Sequence, residues 1–388
     1  MKVLFIAYYF EPFSGVGAKR VSYWAKNLKR INNIITKCDV ITAIPQVSKF
    51  DYIDNVFYIE NTNEGLLRKF IKFDRGASWL YNLKNFVKNN INKNDYDFVI
   101  LTGDPFLHFF IVNDFKDLGI KTIIDFRDPF ANNPRGIVKD TLIKKIKHFA
   151  LKKIENYFLS KADYVITVNK YCIELFENYK KHLYKMKIID NGYDEQIFTN
   201  INMKNNNINM QNNNINMQNK IIKFVYAGKL YADRNPQIFF NTLKNFEDVE
   251  FYHIGERSEY ISGNSKQIHS LGFMSYYETI STLNTMNVCT IFTSGHFFES
   301  TTKVFDYIAL NKVILIITDG EIKTGQLYDI LKDYPYTYWV NNNQSDIENV
   351  LNIIKNNLEL SKNDFDSYTY SREYGLIKLI SILKENYE

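Results

Sequence analysis

The sequence predicts an α/β protein with two Rossmann-like domains, each containing a doubly wound parallel sheet. Its 388 residues suit two domains of roughly 150 to 200 residues. Short apolar segments rich in β-branched residues alternate with longer amphipathic stretches, which is typical of βα units in a parallel sheet. An asparagine-rich segment interrupts this alternation once, and the same pattern then starts again.

The apolar segments predict the strands in detail. In the first half we expect strands at Val3–Ala7, Val40–Ala43, Phe98–Thr102, Thr122–Phe126 and Tyr164–Val168. In the second half we expect them at Ile221–Tyr226, Glu250–Ile254, Val288–Phe292 and Val313–Ile317. Because ligands of doubly wound sheets bind beyond the carboxyl ends of the strands, functional residues are expected in the loops that follow them.

The asparagine-rich segment sets the predicted domain boundaries. Residues 199–220 contain the unit NNNINMQ twice in tandem. Asparagine is a poor helix former, and the apolar residues lack the heptad spacing of a coiled coil. We interpret this segment as a linker between domains at 1–198 and 221–368. Residues 369–388 carry the apolar spacing of a terminal amphipathic helix.

Composition narrows the class of protein. The apolar N-terminal run is followed at once by Glu11 and Pro12 without a small-residue cleavage site, so it is interpreted as a strand rather than a signal peptide. Cys38, Cys172 and Cys289 are far apart and lack metal-ligand spacing, which fits a reducing compartment. The formal net charge of +5 is modest and does not indicate a nucleic-acid partner. A cytoplasmic protein is expected.

A glycine-bearing loop follows the first predicted strand. Gly15 and Gly17 allow backbone to approach a ligand. Arg20, however, stands where the dinucleotide fingerprint requires a third glycine, so a nicotinamide cofactor is disfavoured. The loop is either a flexible turn or a contact for a sugar or an acceptor.

Three further candidates follow the third and fourth predicted strands. His108 is a possible catalytic base, or a histidine that packs within a helix. Arg127 and Asp128 belong to the segment DFRDPF, in which two carboxylates bracket a guanidinium. Either one of these residues contacts the reacting sugar or hydroxyl, or the charges form an ion pair that fixes the loop.

The second half offers a cationic loop after its first strand. Lys229 and Arg234 would stabilise the negative charge that develops on a diphosphate leaving group, which fixed cations can do without a metal. The alternative is that both are solvated loop cations.

The stretch from Glu299 to Asp306 is the most informative segment. Ser300 or Thr301 is predicted to cap a helix that ends at a left-handed Asn311. The amides at the helix start would attract phosphate, Asp306 would accept ribose hydroxyls, and Glu299 would approach the sugar. The alternative is a capped helix with one solvated acid. The phosphate-binding candidates are Thr301, Thr302 and Lys303.

No metal site is expected. Asp95 and Asp97 imitate a metal-binding Asp-x-Asp pair, but they precede a strand and so lie at the wrong end of the sheet.

Taken in order, these segments resemble the GT-B glycosyltransferases of the group 1, or family 4, type. The resemblance spans nearly the whole chain, and its segments are YYFEPFSGVGAKR, TGDPFLH, IIDFRDPF, DNGYDEQIF, YAGKLYADRNP, LGFMSYYE and ESTTKVFDYIALNKVIL. Three features depart from the family pattern. Glu299 and Asp306 have six residues between them where the family often has seven, and the second acid is an aspartate. After the helix, Asn311 and Val313 stand where the family usually has glycine and proline on either side of the lysine.

The resemblance implies a glycosyltransferase with an interdomain cleft and an acceptor-side first domain. It implies a nucleotide-diphosphate sugar donor and no other cofactor, retention of anomeric configuration, independence of metal, and an acceptor in surface polysaccharide or lipid-linked glycan synthesis. It places Phe273 near the nucleobase. A nucleotide-sugar epimerase of the same fold and a non-catalytic nucleotide-sugar-binding protein are the alternatives.

Two lysine-rich stretches suggest contact with the inner face of an anionic membrane. Residues 137–158 place apolar residues along one helical face with lysines elsewhere, and residues 66–87 mix lysines with aromatics. Ordinary solvated helices have the same pattern.

Overall fold

A computed structural model gives the structure of the chain and describes residues 1–46, 49–61, 74–134, 141–199, 221–261, 265–358 and 365–387. The chain forms two compact units, one of Met1–Asn191 with Arg372–Glu388 and one of Gly192–Ser371. Apart from Thr199, the predicted linker at 199–220 lies outside the described residues, as do residues 66–73 and 137–140 of the two lysine-rich stretches.

The first unit contains a parallel sheet with the strand order β3-β2-β1-β4-β5-β6-β7. Its central strands are almost entirely buried, because helices cover both faces of a doubly wound sheet. The strands are β1 (Lys2–Ala7), β2 (Lys37–Thr42), β3 (Asn55–Tyr58), β4 (Phe98–Thr102), β5 (Lys121–Arg127), β6 (Tyr164–Thr167) and β7 (Met186–Ile188). The helices before the Asn-rich segment are α1 (Val16–Ile31), α2 (Arg75–Asn90), α3 (Val112–Asp117), α4 (Leu142–Lys161) and α5 (Lys170–Leu175).

The second unit contains a parallel sheet with the strand order β10-β9-β8-β11-β12-β13. Apolar clusters again lie on both faces. The strands are β8 (Ile222–Ala227), β9 (Val249–Ile254), β10 (Ile268–Gly272), β11 (Val288–Thr293), β12 (Val313–Thr318) and β13 (Thr337–Asn341). The helices are α6 (Gln237–Leu243), α7 (Tyr276–Thr285), α8 (Lys303–Ala309), α9 (Gly325–Leu331) and α10 (Gln344–Asn357).

The terminal amphipathic helix is α11 (Arg372–Glu385), which confirms the helix expected from the apolar spacing. Its buried face includes Leu376, Leu379 and Leu383, and these side chains join the core that contains β1 and α1. Helix α11 is therefore part of the first unit.

The two sheets share one topological feature that locates candidate sites. The strand order reverses between β1 and β4 in the first unit and between β8 and β11 in the second. Loops that leave the carboxyl ends of such neighbouring strands diverge to opposite faces, and ligands of open α/β sheets bind in the crevice between them.

Candidate functional site

The reversal point of the second unit brings Gly228 against Lys303. Gly228 follows β8 with φ 129°, and a β-carbon there would lie 2.5 Å from Cε of Lys303. The ammonium of Lys303 lies 4.9 Å from the ring centroid of Tyr226. His253 is buried, and its Nε2 lies 2.7 Å from the Gly228 carbonyl oxygen. Glycine at 228 thus makes room for the Lys303 side chain.

Arg234 and Glu299 form an ion pair at the same reversal point. Arg234 follows β8 and Glu299 follows β11, and their side chains are only 11% and 3% exposed. The Glu299 carboxylate also accepts hydrogen bonds from Thr293 Oγ1 at 2.7 Å and Ser294 Oγ at 3.0 Å. The sequence assigned these two residues to different parts of a donor, whereas the structure joins them in one cluster, called here the Arg234–Glu299 cluster.

Lys229 lies beside this cluster on the surface. Its ammonium is 5.7 Å from the ring centroid of Tyr231, and the Arg234 guanidinium is 5.7 Å from the same centroid. Tyr226 Oη donates to the Lys229 carbonyl at 3.0 Å, which fixes the turn. Two cations therefore flank one half-exposed aromatic ring after β8.

The helix start after Glu299 differs from the sequence prediction. Helix α8 begins at Lys303, and Thr302 takes the capping position with helical angles and no side-chain capping bond. Neither Ser300 nor Thr301 caps the helix, so that prediction was wrong. Thr301 instead contributes its carbonyl, which accepts from the Val304 amide at 3.2 Å. The left-handed Asn311 is confirmed by its φ of 52°.

Asp306 has a partner that the sequence analysis missed. Tyr276 Oη donates to Asp306 Oδ1 at 2.5 Å. Tyr276 opens α7 directly after Ser275, whose side chain and Glu278 form a capping box. The Ser-x-x-Glu spacing marks this helix start in the sequence, but it does not reveal the partner of the tyrosine.

Phe273 precedes α7 and is 77% exposed. It follows Gly272, which has φ 75° and ends β10. Phe273 lies three residues before Tyr276, whose hydroxyl donates to Asp306. One short segment therefore carries both the exposed Phe273 ring and the partner of Asp306.

Beside the reversal point of the first unit, Arg127 at the end of β5 contacts the start of α1 and the loop after β4. Its Nη1 donates to the Gly17 carbonyl at 3.2 Å, and its Nη2 lies 3.8 Å from Oδ1 of the largely exposed Asp104. Gly15 caps α1 through its backbone position, and a β-carbon there would overlap the ring of Phe13. Asp128 is exposed next to Arg127. Four of the predicted residues thus lie at the start of α1 or at the carboxyl end of β5 and the position after it.

Arg20 explains why the third fingerprint glycine is absent. Its guanidinium lies 3.3 Å from Asp125 Oδ1 and donates to the Ile189 carbonyl at 2.9 Å. It also lies 4.3 Å from the ring centroid of Trp24. Burial raises the pKa of Asp125, and Arg20 is the first of the charges that oppose this shift. The charged pair joins α1 to β5 inside the unit.

His108 lies within the core of the first unit. Its ring is 5.5 Å from that of Trp79 and 4.8 Å from that of Phe109, and the residue has no exposed surface. Burial lowers the pKa of His108 to about 3. A neutral, enclosed imidazole cannot reach a substrate in this conformation, so the packing interpretation fits His108 and the catalytic one does not.

Glu155 is a buried carboxylate that the sequence analysis did not select. It lies on α4 and accepts from the amides of Phe130, Ala131 and Glu177 at 3.0, 2.7 and 2.7 Å. Burial raises the pKa of Glu155 to about 7. Its carboxylate holds the loop that follows Asp128, and an isolated acid in the lysine-rich helix is the only sequence signal for it.

Metal ligands are not clustered in the part of the chain that the structure describes. No group of three or more His, Cys, Asp or Glu residues is placed to hold an ion there. Asp97 precedes β4 and accepts from the Lys2 amide at 2.7 Å, at the amino end of the sheet. None of the helices in the described ranges has both the length and the apolarity needed to cross a membrane.

Comparison with known proteins identifies the fold. No protein-family model and no curated protein matches the sequence. Sucrose-phosphate synthase from Thermosynechococcus elongatus is similar in structure, with a TM-score of 0.68, 12% identity, and coverage of 99% of this chain and 98% of that one.

Two further similar structures contain nucleotide sugars. Anabaena HepE in complex with UDP-glucose has a TM-score of 0.64, 12% identity, and coverage of 99% and 100%. UDP-GlcNAc 2-epimerase from Neisseria meningitidis bound to UDP-GlcNAc has a TM-score of 0.57, 11% identity, and coverage of 100% of both chains. At these identities the likeness concerns architecture alone. The chain has the two-sheet GT-B fold, as the resemblance implied.

Proposed function

We propose that this protein is a glycosyltransferase that uses a nucleotide-diphosphate sugar, with UDP-sugars as the first donors to test. The observation that carries the proposal is the concentration of cations at the β8/β11 reversal point. Lys229, Arg234 and Lys303 lie there with a glycine turn, where a parallel sheet binds ligands. Similar structures with UDP or UDP-glucose bound support the choice of nucleotide.

The chemistry follows from charge. As the bond between sugar and diphosphate breaks, negative charge develops on the leaving phosphate, and prearranged cations stabilise it more in the transition state than in the ground state. Arg234 supplies a planar guanidinium suited to phosphate oxygens, and Lys229 and Lys303 supply point charges. Thr301 and Thr302 add polar groups beside Lys303. The reaction is proposed to be metal-independent and to retain anomeric configuration.

The remaining residues take supporting parts in the proposal. Asp306 receives the ribose hydroxyls in exchange for its bond to Tyr276, and Phe273 offers an exposed ring to the base. Glu299 orients Arg234 and lies next to the sugar. Gly15, Gly17, Arg127 and Asp128 form the acceptor-side candidates, while His108 is left out because it is enclosed.

Donor binding is tested by thermal shift and isothermal titration calorimetry with UDP-, ADP- and GDP-sugars. We expect at least one nucleotide sugar to raise the melting temperature, since a ligand that binds only the folded state stabilises it. If none of the three classes of nucleotide sugar binds the wild-type protein in either measurement, the proposed donor site is refuted. Lys229→Ala is the first variant to compare with the wild type, because the substitution removes one exposed charge without disturbing the core.

Nucleotide-sugar epimerisation is the second candidate, favoured by the full-length similarity to UDP-GlcNAc 2-epimerase. Product analysis without an acceptor separates the two activities. Conversion of free UDP-GlcNAc into an epimer supports the second candidate, whereas turnover that requires an added glycan or lipid-linked sugar supports transfer. Binding without either reaction would indicate a non-catalytic nucleotide-sugar-binding protein.

A further inference from the structure

The N-terminal half of α4 exposes large apolar side chains to solvent. Leu142, Ile143, Ile146 and Phe149 are 73%, 78%, 61% and 62% exposed. At about 100° per residue, Leu142, Ile146 and Phe149 lie within about 60° of arc, and Ile143 adjoins them. These four residues are called here the α4 patch. Contiguous exposed apolar residues of this size mark an interaction surface.

The α4 patch is separate from the face by which the helix packs on its own unit. The buried residues of α4 are Glu155, Phe158 and Leu159. By the same helical spacing they lie on the side roughly opposite the patch. The patch is therefore not the core-facing stripe of an ordinary amphipathic helix.

Charge indicates what the patch fits. The sequence from Thr141 to Ile154 contains five lysines and no acidic residue. Lys145 flanks the apolar arc, and Lys153 lies on it with its ammonium 5.3 Å from the Phe149 ring centroid. Lys152 is partly neutralised by Glu177 at 2.8 Å. Long lysine side chains can extend from an apolar arc to lipid headgroups while the apolar tips enter the acyl boundary.

We propose that the α4 patch docks the protein on an anionic lipid surface, with the first half of α4 lying in the membrane plane. The patch supplies the apolar contact, and the surrounding lysines supply the attraction to anionic headgroups. This surface is distinct from the proposed donor site on the second unit, and its test uses no sugar, so either proposal can fail without the other.

The test is co-sedimentation of the full chain with vesicles. We expect the protein to pellet with vesicles of equal parts phosphatidylglycerol and phosphatidylcholine, to stay in solution with phosphatidylcholine alone, and to be released as salt rises. Ile146→Asp/Phe149→Asp should weaken binding at least tenfold. Lys145→Gln/Lys153→Gln should also weaken vesicle binding, by about tenfold or more, since each lysine near an anionic surface strengthens binding about fivefold.

Ile353→Asp is the matched control, because Ile353 is a helical isoleucine, 48% exposed on α10, outside both lysine-rich stretches. It should bind vesicles as the wild type does, and all variants should keep the wild-type melting temperature. Wild-type protein that does not pellet, patch variants that bind like the wild type, or a control that loses binding equally would overturn the proposal. A wild-type dimer that Ile146→Asp/Phe149→Asp dissociates, without vesicle binding, would overturn it too and assign the patch to a second copy.

Discussion

Arg234→Ala is expected to affect stability and donor binding through separate physical causes. In the wild type the guanidinium pairs with Glu299, and the two side chains are 11% and 3% exposed. Removal of Arg234 leaves the buried Glu299 carboxylate without its guanidinium partner, while the Thr293 and Ser294 hydroxyls still donate to it. Breaking a buried pair in this way costs about 3 kcal/mol.

That free energy corresponds to a melting temperature lower by roughly 6 to 12 °C for a unit of this size. Neutralising the stranded acid in Arg234→Ala/Glu299→Gln should recover more than half of the loss, because an amide is far easier to bury than an unpaired charge. Donor binding should not recover, since the phosphate-facing guanidinium is absent from both variants.

Differential scanning calorimetry and titration with UDP and UDP-sugars measure the two effects. Glu299→Gln alone serves as the reference for the double-mutant cycle. A single variant that melts like the wild type would refute the buried pair. A double variant that regains both stability and nucleotide affinity would refute the role of Arg234 in binding the diphosphate.

Three other changes test neighbouring features. Asp306→Ala should weaken UDP binding about tenfold in calorimetry, the equivalent of about 1.4 kcal/mol, and unchanged affinity would exclude the ribose role. Gly228→Ala should lower the free energy of unfolding by about 1 to 3 kcal/mol and weaken donor binding by displacing Lys303. Gly119→Ala is the control, because Gly119 also has positive φ but a β-carbon there would have no atom within 4 Å. This control should lower stability without affecting donor binding. Because burial raises the pKa of Glu155 from 4.5 to about 7, the folded state holds its proton more tightly. The free energy of unfolding should therefore fall by about 3 kcal/mol as pH rises through this interval. Urea unfolding at pH 5 and pH 8 should show a smaller fall in Glu155→Gln than in the wild type. An equal fall in both proteins would contradict the assignment.

The sequence predicted the central strands well because burial on both faces leaves a plain pattern. All nine predicted strands are present, and strands such as β4, β11 and β12 consist wholly of buried residues. The strands that the prediction missed lie at or near sheet edges. β3 and β10 are largely half-buried or exposed, so polar residues interrupt their apolar runs and the signal weakens.

Contacts between distant loops could not be predicted in the same way. Arg234 and Glu299 meet because β8 and β11 are neighbours, and Arg20 near the start of α1 reaches Asp125 on β5, two positions from β1 in the sheet. Each residue looks like a solvated or locally paired charge in its own segment. Only the strand order, which no local pattern encodes, determines its partner.

Both ion pairs join a guanidinium to a carboxylate, but their surroundings differ. The Arg20 pair is interpreted as structural, and the Arg234 pair belongs to the proposed donor site. Arg20 is closed in by Trp24 and the Ile189 carbonyl, so its charge is used entirely within the unit. Arg234 instead lies beside Tyr231, which is 47% exposed, and next to the exposed Lys229. The Arg234 side chain is 11% exposed and that of Arg20 is 6% exposed, and a ligand phosphate is proposed to compete with Glu299 for Arg234 from the side of Tyr231 and Lys229. Access, rather than charge or burial alone, is therefore the reason to assign the diphosphate to the Arg234–Glu299 cluster.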